Sequence, residues 1–326
     1  MNKGAGRKKR TIRKRKNKTR RNKKEVTDKL RLIKLACKNF GKPIYLMRHL
    51  NTDANIISDS IIGKTYNKLR GKKGGSLKHY LPYVPLHKEP SITVWGRKDV
   101  MLLPKKYGVT RNKDDHYTVI VSPLLRTWIS ALLFIRALVK EKAFTLTLII
   151  SPIIEKQGFG GNTPLRQSYQ RFFKEEVREL LEEVTIKFCD NINRKLYTCT
   201  LKDVVTQGAT SNQILITDLY SKINKNKYYK SFTDGGMLLD ETLYMISKSS
   251  RNEFKYMKEI LVYSHNGCIL NYLYSLGFPK DNVKLKGVNG YAVVFTLHNN
   301  KIKVQIKMPK GKNISFNQQV NNLISQ

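Results

Sequence analysis

Short apolar runs typical of buried strands alternate with helix-like segments, and this alternation constrains the fold more than any other feature of the sequence. Each run is apolar almost throughout, which is the pattern of strands covered on both faces. Helices between such strands supply the crossovers that a parallel sheet needs. The sequence therefore predicts an α/β fold, a three-layer α/β/α sandwich with a mostly parallel central sheet. The predicted strands are 43–47, 116–121, 144–150 and 260–263.

Helices are predicted before, between and after these strands. Thr163 followed by Pro164 is a capping residue with a first-turn proline, and Val184 lies on the apolar face of the helix that would follow. Residues 190–240 show no clear pattern. The other predicted helices are 26–39, 124–142 and 267–276, and a strand pair at 291–297 and 301–306 is predicted to turn at 298–300.

A basic segment opens the chain. Residues 1–24 contain fourteen Lys or Arg and no Asp or Glu, so like charges repel and little apolar surface is available for burial. We therefore predict a disordered arm over 1–25. It contributes +14 to the formal net charge of +38, so the remainder is also strongly basic. Such a surface attracts polyanions, and nucleic acid is a candidate partner for residues 1–24, with nuclear import or a solvated tail as alternatives.

One domain is predicted over 26–310, with an irregular insertion at 56–98 and a polar tail at 311–326. The insertion contains a glycine-rich basic loop at 70–76, and three prolines follow it. The four cysteines have no paired spacing, which argues against a zinc site or a disulfide framework. The longest apolar run, 128–139, is short and includes Arg136, so no membrane span is predicted and an intracellular location, cytoplasmic or nuclear, is expected.

Polar side chains of one chemical type follow three of the predicted strands. Arg48 and His49 follow the first strand, Arg126 lies shortly after the second, and His265 follows the fourth. Ligands of open α/β sheets bind at the carboxyl ends of the strands. Two imidazoles and two guanidiniums gathered there would bind a phosphoryl group, and one imidazole could attack phosphorus.

The same residues lie in blocks that resemble those of the histidine phosphatase, or phosphoglycerate mutase-like, superfamily. The segment 48–55, Arg-His-Leu-Asn-Thr-Asp-Ala-Asn, resembles its Arg-His-Gly-x-Thr-x-x-Asn signature. The remaining blocks follow in the family's order, and the resemblance covers roughly 43–298. They are the Ser-x-Leu-x-Arg block at 122–127, the acidic segment at 154–161, the second-histidine block at 264–267 and the closing strand at 290–294.

The resemblance implies a role for each matching residue. His49 would be the nucleophile that forms a phosphohistidine, and Glu155 would protonate the leaving oxygen and then help to activate water. Arg48, Arg126 and His265 would bind the phosphoryl oxygens. Asn55 is assigned to phosphate binding through its orientation of the first loop, with a turn or capping role as its alternative. Neither a metal nor a cofactor is implied, and the substrate would be a phosphomonoester, with polyanions suited to a basic pocket.

Two positions depart from the family pattern. Leu50 and Asn266 each replace the glycine that follows a histidine, which would shift the backbone or narrow the mouth of the pocket. The five reacting side chains are unaffected by these departures.

Two other functions stay open at this stage. One is a mutase with the same fold, primed by a bisphosphorylated cofactor. The other is a nucleic-acid-binding or virion packaging protein that retains a phosphatase-like scaffold, for which the basic arm is the motive. Tyr80, Tyr83 and Trp95 lie beside lysines and could stack on bases, although buried or half-buried positions are the favoured prediction for them.

Overall fold

The computed structural model describes the residues that form the sheet, its helices and the loops around the candidate site. Several predictions lie outside the described residues. They concern the arm 1–25, the range 53–91 with Asn55, Tyr80 and Tyr83, and the range 152–183 with Glu155 and the helix from Thr163. The described ranges are 26–52, 92–122, 125–140, 142–151, 184–190, 195–200, 239–249, 254–278, 288–311 and 313–315, with 252 and 285.

A nine-stranded sheet runs through the described residues in the order β5-β4-β3-β2-β6-β1-β7-β8-β9. Strands β4, β3, β2, β6 and β1 are mutually parallel, and the remaining neighbours pair antiparallel. The five central strands therefore confirm the predicted parallel sheet, and the antiparallel strands at its two edges make the sheet as a whole mixed. The strands are β1 (Ile44–Arg48), β2 (His116–Val121), β3 (Thr145–Ile150), β4 (Val184–Asp190), β5 (Lys195–Thr200), β6 (Ile260–Ser264), β7 (Ala292–His298), β8 (Lys301–Lys307) and β9 (Ile314–Ser315).

Strand register aligns the carboxyl ends of three neighbouring strands. Arg48 of β1 is level with Ser264 of β6, and Val121 of β2 is level with Tyr263 of β6. Every residue of β1 and β6 is buried although side chains alternate between faces, so both faces of the sheet are covered. The α/β fold and the layered arrangement predicted from the apolar runs are therefore confirmed.

The helices form two groups. Helix α1 (26–40) approaches α5 (Leu239–Ser249) through a hydrogen bond from Asn39 Nδ2 to Ser247 Oγ of 3.0 Å, and α6 (Asn266–Ser275) contacts β1. In the second group, α2 (Val94–Val100), α3 (Leu103–Tyr107) and α4 (Leu125–Val139) contact one another, and α4 also contacts β2 and β6. Within the described residues, no helix is both long enough and apolar enough to cross a membrane.

One prediction of secondary structure is wrong in part. Val184 begins strand β4 and does not lie on a helix. The stretch 190–240, which has no predicted structure, contains β5 and the first two residues of α5. Thr185 and Ile186 are β-branched and therefore favour a strand. The helical spacing of apolar residues that ends at Val184 does not reflect this preference. Pairing with β3 supplies the tertiary context that decides the outcome.

The last residues of the predicted insertion at 56–98 are helical and not irregular. Its last described residues enter α2, and the Thr93 side chain caps this helix by accepting a hydrogen bond of 3.0 Å from the Gly96 N–H. Helix α3 follows and ends at Gly108, whose φ of +68° suits a residue without a side chain. These two short helices lie directly beside the candidate site.

The predicted turn after β7 is confirmed as a two-residue hairpin loop. Asn299 and Asn300 have φ values of +47° and +60°, the left-handed conformation that such a loop requires at both positions. Asparagine tolerates this conformation better than most residues.

Candidate active site

Backbone hydrogen bonds continue the sheet one residue past the ends of its central strands, and this places the candidate residues together. The His49 N–H donates to Ser264 O at 3.1 Å, and the Ser122 N–H donates to Tyr263 O at 3.0 Å. The residues that follow β1, β2 and β6 therefore share one edge of the sheet. The sequence prediction that polar side chains meet at the carboxyl ends of these strands agrees with the structure.

His49 and His265 are neighbours in space although 216 positions separate them in the sequence. Their ring centroids are 5.3 Å apart and the ring planes are inclined by 55°. The residues are only 6% and 7% exposed. A single tetrahedral group entering this space could therefore contact both rings.

The hydrogen bond of the His49 ring defines which nitrogen can react. Nδ1 lies 2.8 Å from Leu50 O, and a carbonyl oxygen can only accept, so Nδ1 carries the hydrogen. In the neutral ring the lone pair is then on Nε2. His49 is thus held in the tautomer in which Nε2 is the nucleophilic atom.

Two arginines supply positive charge to the pair of histidines. Arg48 is 6% exposed, and its Nη1 donates a hydrogen bond to Val288 O. Arg126 lies on the first turn of α4, and its charge acts on both imidazoles. Guanidinium groups suit the oxygens of a phosphoryl group because they offer several hydrogens in a planar fork.

Burial and the arginines together keep both imidazoles neutral. The pKa of His49 lies well below its ordinary value, first because the ring is buried and then because Arg126 and Arg48 are close. The pKa of His265 is lowered in the same way, by burial, by Arg126, by His49 and by Arg48. A neutral His49 is the form with a lone pair available for attack.

Ser122 orients the second imidazole. Its hydroxyl lies 2.6 Å from His265 Nε2 and 3.2 Å from the Thr127 hydroxyl, which itself donates to Ser122 O at 2.9 Å. All three contacts are satisfied when Nε2–H donates to Ser122 and Ser122 donates to Thr127. His265 Nδ1 is buried, and no group among the described residues forms a hydrogen bond with it. This nitrogen is therefore available to an incoming phosphoryl oxygen, and it can donate once the ring is protonated.

Replacing Ser122 by alanine tests this orientation. We expect S122A to lower kcat/KM for a phosphomonoester about 10- to 100-fold, because His265 loses the group that fixes its ring. The affinity for vanadate should weaken in parallel, and S122T should recover much of both. Ser275→Ala, which removes a local hydroxyl at the end of α6, is the matched control and should leave both values unchanged. Full activity and vanadate affinity in S122A would contradict the assignment.

The loop after His49 is tied to the helix that carries Arg126. The Leu50 N–H donates to Ser130 Oγ at 2.9 Å, and the Ser130 hydroxyl donates to Arg126 O at 2.6 Å. One serine therefore links the backbone beside the nucleophile to the first turn of α4. This link keeps the relative position of His49 and Arg126 constant.

Neither departure from the family signature strains the backbone. Leu50 and Asn266 are absent from the residues with positive φ in the described part of the chain. Leu50 is 2% exposed and belongs to the apolar core. Asn266 begins α6, and its Oδ1 accepts a hydrogen bond of 3.1 Å from the Tyr291 hydroxyl. Each replacement therefore has a structural role of its own.

Helix α2 packs against the loop that carries the nucleophile. Thr93 N–H donates to Asn51 O at 3.0 Å, and a Cβ added at Gly96 would lie only 2.7 Å from the same oxygen. A glycine is needed at position 96 because the two backbones approach so closely. The start of α2 is thereby anchored two residues from His49.

Gly96→Ala should disturb both stability and turnover. The added methyl group forces Asn51 or the helix to move, and we expect the free energy of unfolding to fall by about 1–3 kcal/mol. Denaturant unfolding and kcat/KM would be measured together. Gly41→Ala is the matched control. Gly41 has a φ of +65°, and no atom of the described residues lies within 4 Å of the position of an added Cβ. It precedes the amino end of β1, whereas His49 follows the carboxyl end. G41A should lose stability without losing turnover. Equal turnover in G96A and the wild type would refute the expectation that the packing of α2 on Asn51 positions the loop that carries His49.

Four of the six predicted site residues are assembled by the structure: Arg48, His49, Arg126 and His265. Glu155 and Asn55 lie outside the described residues, so their roles stay predictions. Sequence reasoning gave no role to Ser122 or Ser130. Ser122 belongs to a quoted block, and its position directly after β2 was an available signal, whereas nothing in the sequence singles out Ser130. Among the described residues, no group of three or more His, Cys, Asp or Glu side chains could hold a metal ion.

Comparisons with known proteins find similarity to solved structures only. No protein-family model and no curated protein sequence matches the chain. A structure titled "Mycobacterial hydrolase 2" is 10% identical with a TM-score of 0.30, covering 87% of this chain and 97% of its own. A phytase from D. castellii is 14% identical with a TM-score of 0.33, covering 82% of this chain and 72% of its own.

Proposed function

We propose that the chain is a phosphatase that hydrolyses phosphomonoesters through a phosphohistidine on His49. The single observation that supports this proposal is the buried pair of neutral imidazoles, 5.3 Å apart, at one edge of the sheet and within the field of two arginines. The order of the sequence blocks that resemble the histidine phosphatase superfamily agrees with it.

The first step transfers the phosphoryl group to the enzyme. The Nε2 lone pair of His49 forms a bond to phosphorus while the bond from phosphorus to the ester oxygen breaks, and the leaving oxygen takes a proton. The hydrogen bond from Nδ1–H to Leu50 O stabilises the positive charge that develops on the ring. Arg48, Arg126 and His265 would stabilise the equatorial oxygens, whose negative charge also favours protonation of His265.

The second step returns the enzyme to its starting state. A water oxygen forms a bond to phosphorus as the bond from phosphorus to Nε2 breaks, and the water gives up one proton. The proposal assigns both proton transfers to Glu155, which donates to the leaving oxygen and then accepts from water. Inorganic phosphate leaves, and His49 is again neutral.

Phosphate release from an aryl phosphate tests the proposal directly. The full-length chain would be assayed with a chelator present, and acid-quenched and alkali-quenched samples would be compared after a pulse of labelled substrate. A phosphohistidine is lost in acid and survives alkali, in contrast to a phosphoserine. We expect turnover in the presence of chelator and a label that survives alkali only. A folded chain without turnover would overturn the proposal.

A mutase of the same fold differs from a phosphatase in the molecule that accepts the phosphoryl group. A phosphatase transfers the group to water, whereas a mutase returns it to a hydroxyl group of a sugar phosphate. Release of one phosphate per substrate consumed, unchanged by an added bisphosphorylated primer, supports the phosphatase. Isomerisation without phosphate release would support the mutase.

A nucleic-acid-binding function is the second candidate, and the formal net charge of +38 favours it. Binding that depends on phosphate contacts weakens steeply as salt rises. We expect the logarithm of the affinity for a polynucleotide to fall linearly with the logarithm of salt concentration. Charge reversal of several lysines within 1–24 should reduce that slope if the arm is the contact.

A further inference from the structure

The largest exposed apolar side chains of the described residues concentrate on α2 and the turn after it. Trp95 is 63% exposed, which corrects the prediction that it would be buried or half-buried. Exposed apolar residues that lie next to one another, in contrast to single scattered ones, are typical of binding surfaces. The other exposed members of this stretch are Val94, Met101 and Leu102, at 65%, 51% and 70%.

A cation lies over the exposed indole. Lys98 Nζ is 5.6 Å from the centroid of the Trp95 ring. Residues 93–107 contain four basic side chains and one acidic side chain, Asp99, and Asp99 is 3.6 Å from Lys310. An exposed aromatic ring with a lysine beside it offers stacking to a planar ring and charge to an anion, the two features that bind single-stranded nucleic acid.

Helix α2 carries Trp95 close in sequence to the contact that it makes with the loop after His49. Gly96 packs on Asn51, and Trp95 is the residue before it. Asn51 follows His49 by two positions, so their Cα atoms are at most about 7.6 Å apart. A molecule whose phosphate contacts His49 could therefore extend past Asn51 to the start of α2, where Trp95 lies.

We propose that Trp95 and Lys98 form a nucleobase-binding platform and that the substrate class is a single-stranded polynucleotide with a terminal phosphomonoester. The base stacks on the indole, Lys98 contacts the backbone phosphate, and the terminal phosphate reaches His49. This inference rests on the proposed phosphatase function and names its substrate. Charge complementarity with the basic chain favours an anionic occupant over a neutral protein surface. The exposed Trp95 ring favours an oligonucleotide over an acidic protein surface, because every nucleotide carries a planar base that can stack on it.

Tryptophan fluorescence gives a local readout of binding. The chain has two tryptophans, and Trp128 is fully buried with its Nε1–H donating to Ser122 O at 2.8 Å. A thymidine octamer with a 5′-phosphate should therefore quench the emission of Trp95 in the full-length H49A chain. In the H49A/W95F variant the quenching should disappear while the emission of Trp128 remains. Binding without quenching in H49A would overturn the platform.

Turnover gives the second test. Octamers with a 5′- or a 3′-phosphate would be compared with an aryl phosphate at 0.15 M salt or above, to limit non-specific attraction. We expect W95A to lower the ratio of kcat/KM for the octamer to kcat/KM for the aryl phosphate by about 5- to 150-fold, the effect of losing one stacked base. The two octamers then show which end is the substrate.

Tyr256→Ala is the matched control. Tyr256 is 61% exposed, and Lys255 Nζ lies 5.4 Å from its ring, but it precedes the amino end of β6 and is remote from the site. Y256A should leave the ratio unchanged. An unchanged ratio in W95A, an equal fall in Y256A, or a larger loss with a phosphopeptide than with the octamers would overturn the inference. If no phosphomonoester is hydrolysed at all, the proposed function fails, whereas turnover with an unchanged ratio in W95A refutes the platform alone.

Discussion

His49→Ala is expected to lower kcat for any phosphomonoester by at least about 10⁴-fold, because it removes the atom that would bond to phosphorus. His265 is the other imidazole of the described site, and its Nε2 is held by the Ser122 hydroxyl. The label trapped after acid and alkali quenching should vanish together with turnover.

The matched control for this variant is a change that keeps the fold and the surrounding charges. Circular dichroism should show that H49A is folded, and S275A should retain full turnover. Retention of more than about a tenth of wild-type kcat in H49A would exclude His49 as the nucleophile.

The same substitution should alter the acid stability of the fold. Since the pKa of His49 is below its ordinary value of 6.5, the folded chain binds fewer protons than the unfolded chain. His49 therefore causes no loss of stability above about pH 6.5, and it lowers the stability of the wild type as the pH falls below that value. H49A should lose less, and denaturant unfolding at pH 5 and pH 7 would measure the difference. An equal loss in both proteins would indicate that the His49 pKa is not lowered.

Much of the fold and four residues of the site could be predicted because the signals are local. Apolar runs defined β1, β2, β3 and β6, and the rule that ligands bind at carboxyl ends of parallel strands brought His49, Arg126 and His265 together without any distance information. The predicted hairpin after β7 was equally local. Each of these inferences needed only neighbouring residues and one general property of sheets.

The remainder depended on contacts between distant segments. Ser130 has no distinguishing sequence context, and it matters because α4 brings its hydroxyl to Leu50 N–H, 80 positions away. The apolar helical pattern after Thr163 predicts that Val184 lies on a helix, but pairing with β3 makes Val184 the first residue of β4. The exposure of Trp95 could not be predicted either, since a large aromatic residue is highly buried on average and the exposed fraction depends on how α2 packs.

Substitution of Arg126 is expected to cause the second large loss of activity. Two substitutions at this position, one that removes the charge and one that keeps it, separate the effect of charge from that of geometry. Arg126→Gln should lower kcat/KM by about 10²- to 10³-fold, because the transition state loses a fixed positive group at the phosphoryl oxygens. It should also change the pH profile. The Arg126 charge lowers the pKa of both His49 and His265, so both pKa values rise in R126Q. The acid limb of kcat/KM reflects the loss of a proton from His49 in the free enzyme, and it should move to higher pH.

Arg126→Lys is the control that keeps the charge and removes the planar fork. R126K should lose part of the turnover, since an ammonium group cannot bind two oxygens in the same way. Its acid limb should stay near that of the wild type, because a positive charge still lowers the histidine pKa values. The ionisation of the substrate is common to all three proteins and cancels in the comparison. A shift of equal size in R126K and R126Q would show that geometry, and not charge, determines the pH profile, and an unchanged profile in R126Q would show that Arg126 does not act on the nucleophile.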